Sequence, residues 1–138
     1  MAADAIIRTL ELAAERAGDL SPLVYARLFA AHPEMESQFA RDTDGSIRGE
    51  MLSRVFETIL DFVGDRAYAA RMIQCEVVTH DGYGVPPAVF GRFFEVVADT
   101  LRAVIGPDWT PEVAAAWKTL LADLDWFATH PDQHATAA

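Results

Sequence analysis

Residues 66–87 read RAYAARMIQCEVVTHDGYGVPP, and the reading of the fold turns on them. Residues 66–80 carry the pattern of a helix that ends at His80. The segment HDGYGVPP (80–87) cannot continue it, because two glycines and two prolines punctuate it. A histidine that closes an apolar helix has two readings. It is a favourable partner for the helix dipole or a cap, or it is a ligand whose imidazole is presented at the edge of an apolar wall. Judged alone, His80 leaves both open.

Helical periodicity extends outward from this segment in both directions. On the N-terminal side, residues 47–63 place Ile47, Met51, Leu52, Val55, Phe56, Ile59, Leu60 and Val63 on one wide apolar face, which predicts a deeply buried helix. Before it, ARDTDGS (40–46) reads as a polar loop, and 34–39 as a short helical turn ending in Phe39. Ser21-Pro22 starts a helix that carries Leu23, Val24, Leu28 and Phe29 and stops near His32-Pro33. Residues 3–17 align Ile6, Ile7, Leu10 and Ala14. On the C-terminal side, 87–105 carries Phe90, Phe93, Phe94, Val97, Leu101 and Ile105. Thr110-Pro111 then caps a last helix, 111–128, with Val113, Trp117, Leu120, Leu121, Leu124 and Phe127 inward. No alternating strand pattern is visible. The expectation is an all-α chain of about six to eight helices, one domain over 1–138, with a frayed polar tail at 129–138.

Composition narrows the function. A net charge of -10 argues against nucleic acid or an anionic membrane surface as the main partner, since both call for a basic face. No stretch approaches the roughly 20 apolar residues of a membrane span, and the charged N-terminus does not read as a signal peptide. A cytoplasmic protein is expected. The single cysteine, Cys75, excludes an internal disulfide and a thiolate zinc cluster, and reads as an inert packed thiol. His32 reads as exposed, and His130 and His134 lie around Pro131 in the tail, a poor setting for a two-histidine metal face. Asp123 and Asp125 cannot share a helix face, and Glu50 and Glu57 fall on a polar side, so no acid–base pair is visible. Tyr25 is either a core aromatic or a hydroxyl aimed into a cavity. Arg48 is either a solvated charge or a residue at a pocket mouth.

Four stretches taken in order, VYARLFAAHPEMESQF (24–39), GEMLSRVFETILDFV (49–63), THDGYGV (79–85) and PEVAAAWKTLLADL (111–124), resemble a globin, and in particular the globin part of bacterial flavohaemoglobins and their single-domain relatives. The resemblance runs from about residue 5 to 128. It implies a three-over-three helical sandwich around a haem pocket. It also implies haem b as the cofactor, with His80 as the iron ligand and dioxygen, NO or CO as the gas bound. By the same resemblance Tyr25 is the distal hydrogen-bond donor, Phe39 packs on the haem, Arg48 holds the distal polar position and Leu52 lies over the iron. Val55, Tyr83, Val85, Phe90 and Leu121 complete the expected haem contacts. The carbonyl of Glu76, one turn before His80, is the expected acceptor for the other ring nitrogen.

Two departures qualify the implied chemistry. The flavohaemoglobin group backs its proximal histidine with a tyrosine and a glutamate. Here Phe90 stands where that tyrosine is expected, and FATHPD (127–132) offers no matching glutamate, so electron donation to the iron is expected to be weaker. The flavin and nicotinamide parts are not in this sequence, so NO dioxygenase turnover is expected to need a separate reductase. The alternatives to gas binding are that NO dioxygenase and a haem-free regulatory or interaction module built on the same fold.

Overall fold

The computed structural model describes residues 2–133, and these form six α-helices and two 3-10 helices with no strand among them. The α-helices are α1 (Ala2–Ala17), α2 (Ser21–Ala31), α3 (Ser46–Val63), α4 (Ala69–Gly82), α5 (Pro87–Ile105) and α6 (Pro111–Thr129). The 3-10 helices are Pro33–Phe39, after α2, and Gly106–Asp108, after α5. Helices α1, α3 and α4 form one layer and α2, α5 and α6 the other, with α1 and α4 both packed across onto α5 and α6. This is the all-α, three-over-three arrangement expected from the sequence. Part of the expected frayed tail, residues 134–138, lies outside the described residues.

The core sits between the layers. Ile6, Val24, Leu52, Ile59, Phe62, Ile73, Val97, Leu101, Trp117 and Leu124 are all buried in one cluster. A buried polar chain crosses it: Trp117 Nε1 donates to Thr9 Oγ1 (3.2 Å), which donates to the Ala5 carbonyl (2.7 Å), so no polar atom there goes unpaired. Thr110 caps α6 as expected, its Oγ1 accepting from Val113 N at 3.2 Å.

Three boundaries and faces differ from expectation, each for a local reason. Helix α4 starts at Ala69, not 66. The Asp61 carboxylate accepts from the backbone N–H groups of Ala67, Tyr68 and Ala69 (2.8–3.0 Å) and holds 64–68 as a turn, with Arg66 at φ 51°. These bonds keep the Asp61 pKa below the ordinary carboxylate value, against the opposing effect of burial. At its other end α4 runs on through Asp81 and Gly82. The chain then turns at Gly84 (φ 94°), with Val85 N donating to the His80 carbonyl (2.9 Å) and Gly84 N to that of Asp81 (3.1 Å). This is a Schellman closure, and its positive φ favours glycine. Finally, α3 is less buried than its apolar face suggests. Leu52, Ile59 and Phe62 are buried, but Ile47 and Leu60 are exposed and Met51, Val55 and Phe56 are half-buried. No neighbouring helix covers the whole of so wide a face.

Candidate functional site

The residues singled out in the sequence fall into two clusters joined by α5. The first surrounds Tyr25. Its ring is buried and packs on Phe29 and Phe93 (centroids 6.0 and 5.7 Å), with an edge contact to Phe39 at 5.3 Å. Its hydroxyl donates to the Arg48 backbone carbonyl at 3.1 Å. Burial raises the hydroxyl's pKa well above the usual tyrosine value, and the nearby Arg48 charge opposes this only in part. The group is therefore a protonated donor at any physiological pH.

Arg48 itself is neither free nor simply solvated. Asp42, buried in the loop before α3, accepts from Arg48 Nε (2.9 Å) and from the backbone N–H groups of Arg48 (2.9 Å) and Ile47 (3.1 Å). Arg48 Nη2 also donates to the Asp42 carbonyl at 3.1 Å. Burial disfavours the Asp42 charge, but these bonds together hold its pKa below the ordinary value. The carboxylate thus satisfies open N–H groups at the start of α3 and anchors the guanidinium. Arg48 and Phe39, with Phe29, Glu36, Ser37 and Ala40, line an open cleft of about 620 Å³. Arg48 thus borders this cleft with its charge paired to Asp42. Sequence reading passed over Asp42, because ARDTDGS contains three polar turn formers and nothing in the string selects which one folds back.

The second cluster surrounds His80. Its Nδ1 lies 2.8 Å from the Glu76 carbonyl oxygen. A carbonyl only accepts, so Nδ1 carries the proton, and in the neutral imidazole Nε2 keeps its lone pair. The Phe90 ring packs against the imidazole (centroids 5.1 Å) and meets Phe94 edge-on at 6.2 Å. Phe90 and Phe93 are one turn apart on α5, so a single helix face supports both His80 and Tyr25. Phe93 was not among the expected site residues, although its i, i+3 spacing from Phe90 marks the shared face. The Glu76 carboxylate was also passed over. Its Oε2 lies 3.5 Å from His80 Nδ1, an i, i+4 pair on one helix face.

The remaining expected residues divide. Leu52 is buried, and Val55, Val85 and Leu121 are half-buried. Tyr83 is 71% exposed in the turn after α4 and stands apart from both clusters. Two minor expectations are overturned. Cys75 is exposed rather than packed. His32 is largely covered, with Nδ1 3.3 Å from the Glu34 carboxylate and its Nε2 buried without a partner. His130 stacks on Trp126 (4.4 Å, 9°). His134 lies outside the described residues. Among the described residues no group of three or more His, Cys, Asp or Glu side chains could hold a bare metal ion, and no helix is long and apolar enough to cross a membrane.

The donor set fits a flat apolar cofactor bearing a metal. One imidazole nitrogen is fixed as a proton donor and the other is left to bind. Phe39, Phe90 and Phe93 in the two clusters, like Val55, Phe56 and Leu121, are apolar side chains packed on the core yet only half-covered. Such incompletely covered apolar walls gain from burial against an apolar plate.

The chain is thus a two-layer helical sandwich that sets an imidazole and a buried tyrosine against one aromatic face. The globin family model matches residues 23–125, and the chain belongs to the globin family, whose members hold haem and bind small gases. No curated protein and no solved structure matches the chain significantly.

Proposed function

We propose that this globin binds haem b through His80 and reversibly takes up dioxygen, NO or CO, as in the single-domain relatives of flavohaemoglobins. The observation that carries this reading is the 2.8 Å contact of His80 Nδ1 with the Glu76 carbonyl, which leaves Nε2 available at the end of α4. Bound haem would supply an iron with one coordination position open to a diatomic gas.

The chain's own residues do the rest. The Glu76 carbonyl holds the imidazole tautomer, and Phe90 limits the ring's rotation. The Schellman closure at Gly84 fixes the end of the helix that carries the ligand. Phe39, Leu52, Val55, Val85, Phe90 and Leu121 would supply the apolar contacts to the porphyrin. Tyr83 would join them only if its turn folded inward. Tyr25 is a protonated donor bonded to the first turn of α3, and Arg48, held by Asp42, borders the cleft beside it. Consumption of NO would in addition require electrons from a separate reductase.

Haem titration of the purified chain tests the reading. The expected result is one haem per chain, with a ferrous spectrum that changes on exposure to CO. His80→Ala should abolish stable retention, or leave a site restored by added imidazole. A wild-type spectrum in His80→Ala would overturn the assignment. A wild-type chain that takes up no haem would favour a haem-free module on the same fold.

A further inference from the structure

We propose that the Glu76 carboxylate is a positioning residue for His80, setting a negative charge against the Nδ1 proton and making Nε2 a stronger donor. The inference rests on the reading of His80 as the haem ligand. Glu76 approaches the imidazole twice: its carbonyl oxygen lies 2.8 Å from Nδ1 and its carboxylate Oε2 3.5 Å from the same atom. The carbonyl is the hydrogen-bond acceptor for the Nδ1 proton, and the carboxylate stands beside it as a charge. Phe90 packs against the ring and brings no hydroxyl with it. Among the described residues the Glu76 carboxylate is the charged group that the structure sets against this N–H.

The chemistry follows from the position. A carbonyl oxygen fixes the tautomer. A full negative charge near the same N–H adds imidazolate character, which raises the basicity of the opposite nitrogen. A more basic ligand binds a metal more strongly and favours its higher oxidation state. The carboxylate is 48% exposed and the imidazole 24%, so water screens the effect. An anionic partner one turn back on the same helix therefore stands in for the tyrosine and glutamate that the sequence lacks on the proximal side. The weaker electron donation expected from Phe90 and from the lack of a glutamate in 127–132 would be offset in part by this charge.

The test uses the haem-loaded full chain. Resonance Raman spectra of the ferrous, gas-free protein read the iron–histidine stretch, and a redox titration reads the midpoint potential. Glu76→Gln keeps the backbone carbonyl and the side-chain size but removes the charge. It should lower the stretching frequency and move the midpoint potential positive. Glu76→Asp, with the charge on a shorter arm, should fall between Glu76→Gln and wild type. Asp81→Asn removes an equal charge beside His80 and should change neither readout; a shift equal to that of Glu76→Gln would reduce the effect to net charge and overturn the proposal. An iron–histidine band that His80→Ala abolishes but Glu76→Gln leaves unmoved, at an unchanged potential, overturns the role of Glu76 alone. Absence of the band in wild type overturns His80 as well. If Glu76→Gln retains no haem, ¹⁵N shifts of His80 in the haem-free chain decide: a larger Nε2–H share than in wild type supports the proposal, and an equal share overturns it.

Discussion

The Tyr25 hydroxyl donates to the Arg48 backbone carbonyl across 3.1 Å, so a single hydrogen bond ties the buried face of α2 to the first turn of α3. A gas ligand that draws this hydroxyl toward itself must compete with an acceptor already in place. The gain is then the difference between two hydrogen bonds, about 1 kcal/mol. Tyr25→Phe is expected to speed dioxygen release roughly fivefold and to change CO release much less, since CO is the weaker acceptor. Stopped-flow dissociation rates for both gases check this; equal changes would assign Tyr25 to packing alone.

Acid should weaken the fold through Asp42 and Asp61. Both carboxylates have pKa values lowered in the folded chain from an ordinary 3.8. A lowered folded pKa contributes stability that is fully present above the unfolded value and is lost as pH falls through the folded one. The unfolding free energy should therefore decline below about pH 4. In Asp42→Asn the decline should be shallower, with one carboxylate fewer to protonate, from a lower starting stability at neutral pH. Urea unfolding at a series of pH values between 2 and 6 measures both slopes.

Gly84 closes α4 at φ 94°, where a side chain is strained. Gly84→Ala is expected to cost about 1–2 kcal/mol and to loosen the 2.9 Å bond from Val85 N to the His80 carbonyl. A lower Tm together with faster haem loss to an acceptor protein is the expected pair of results. A lower Tm with unchanged haem loss would separate this turn from the site.

Leu124 is fully buried on α6 between the layers. Leu124→Ala should destabilise the fold by about 2–5 kcal/mol through lost burial and the cavity left behind. Denaturant unfolding should show a lower midpoint at an unchanged slope. A loss under 1 kcal/mol would mean that the core collapses around the gap.

The all-α architecture was legible in the sequence because helical periodicity and its stop signals are local. Thr110-Pro111 and the glycines and prolines after His80 mark their boundaries in the string itself. The Glu76 carbonyl was legible for the same reason, as it lies one helical turn from His80 on the same element. The Glu76 carboxylate followed the same i, i+4 rule and was open to the same reading.

Other features depend on how distant segments meet. Asp61 shortens α4 only because the turn at 64–68 folds back over its carboxylate, and Asp42 holds Arg48 only because the loop before α3 curls under that helix. The exposure of Ile47, Leu60 and Cys75 depends on which faces the neighbouring helices leave uncovered. The sequence by itself determined the helices, their order and the place of His80 just before a helix stop, because hydrogen bonding within a helix and the backbone limits of glycine and proline act over a few residues. The tertiary structure alone decided that Phe90 and Phe93 form one floor beneath His80 and Tyr25, and that the Tyr25 hydroxyl already has an acceptor. Those contacts join residues from ten to nearly seventy positions apart on different helices, and only helix packing brings them within reach.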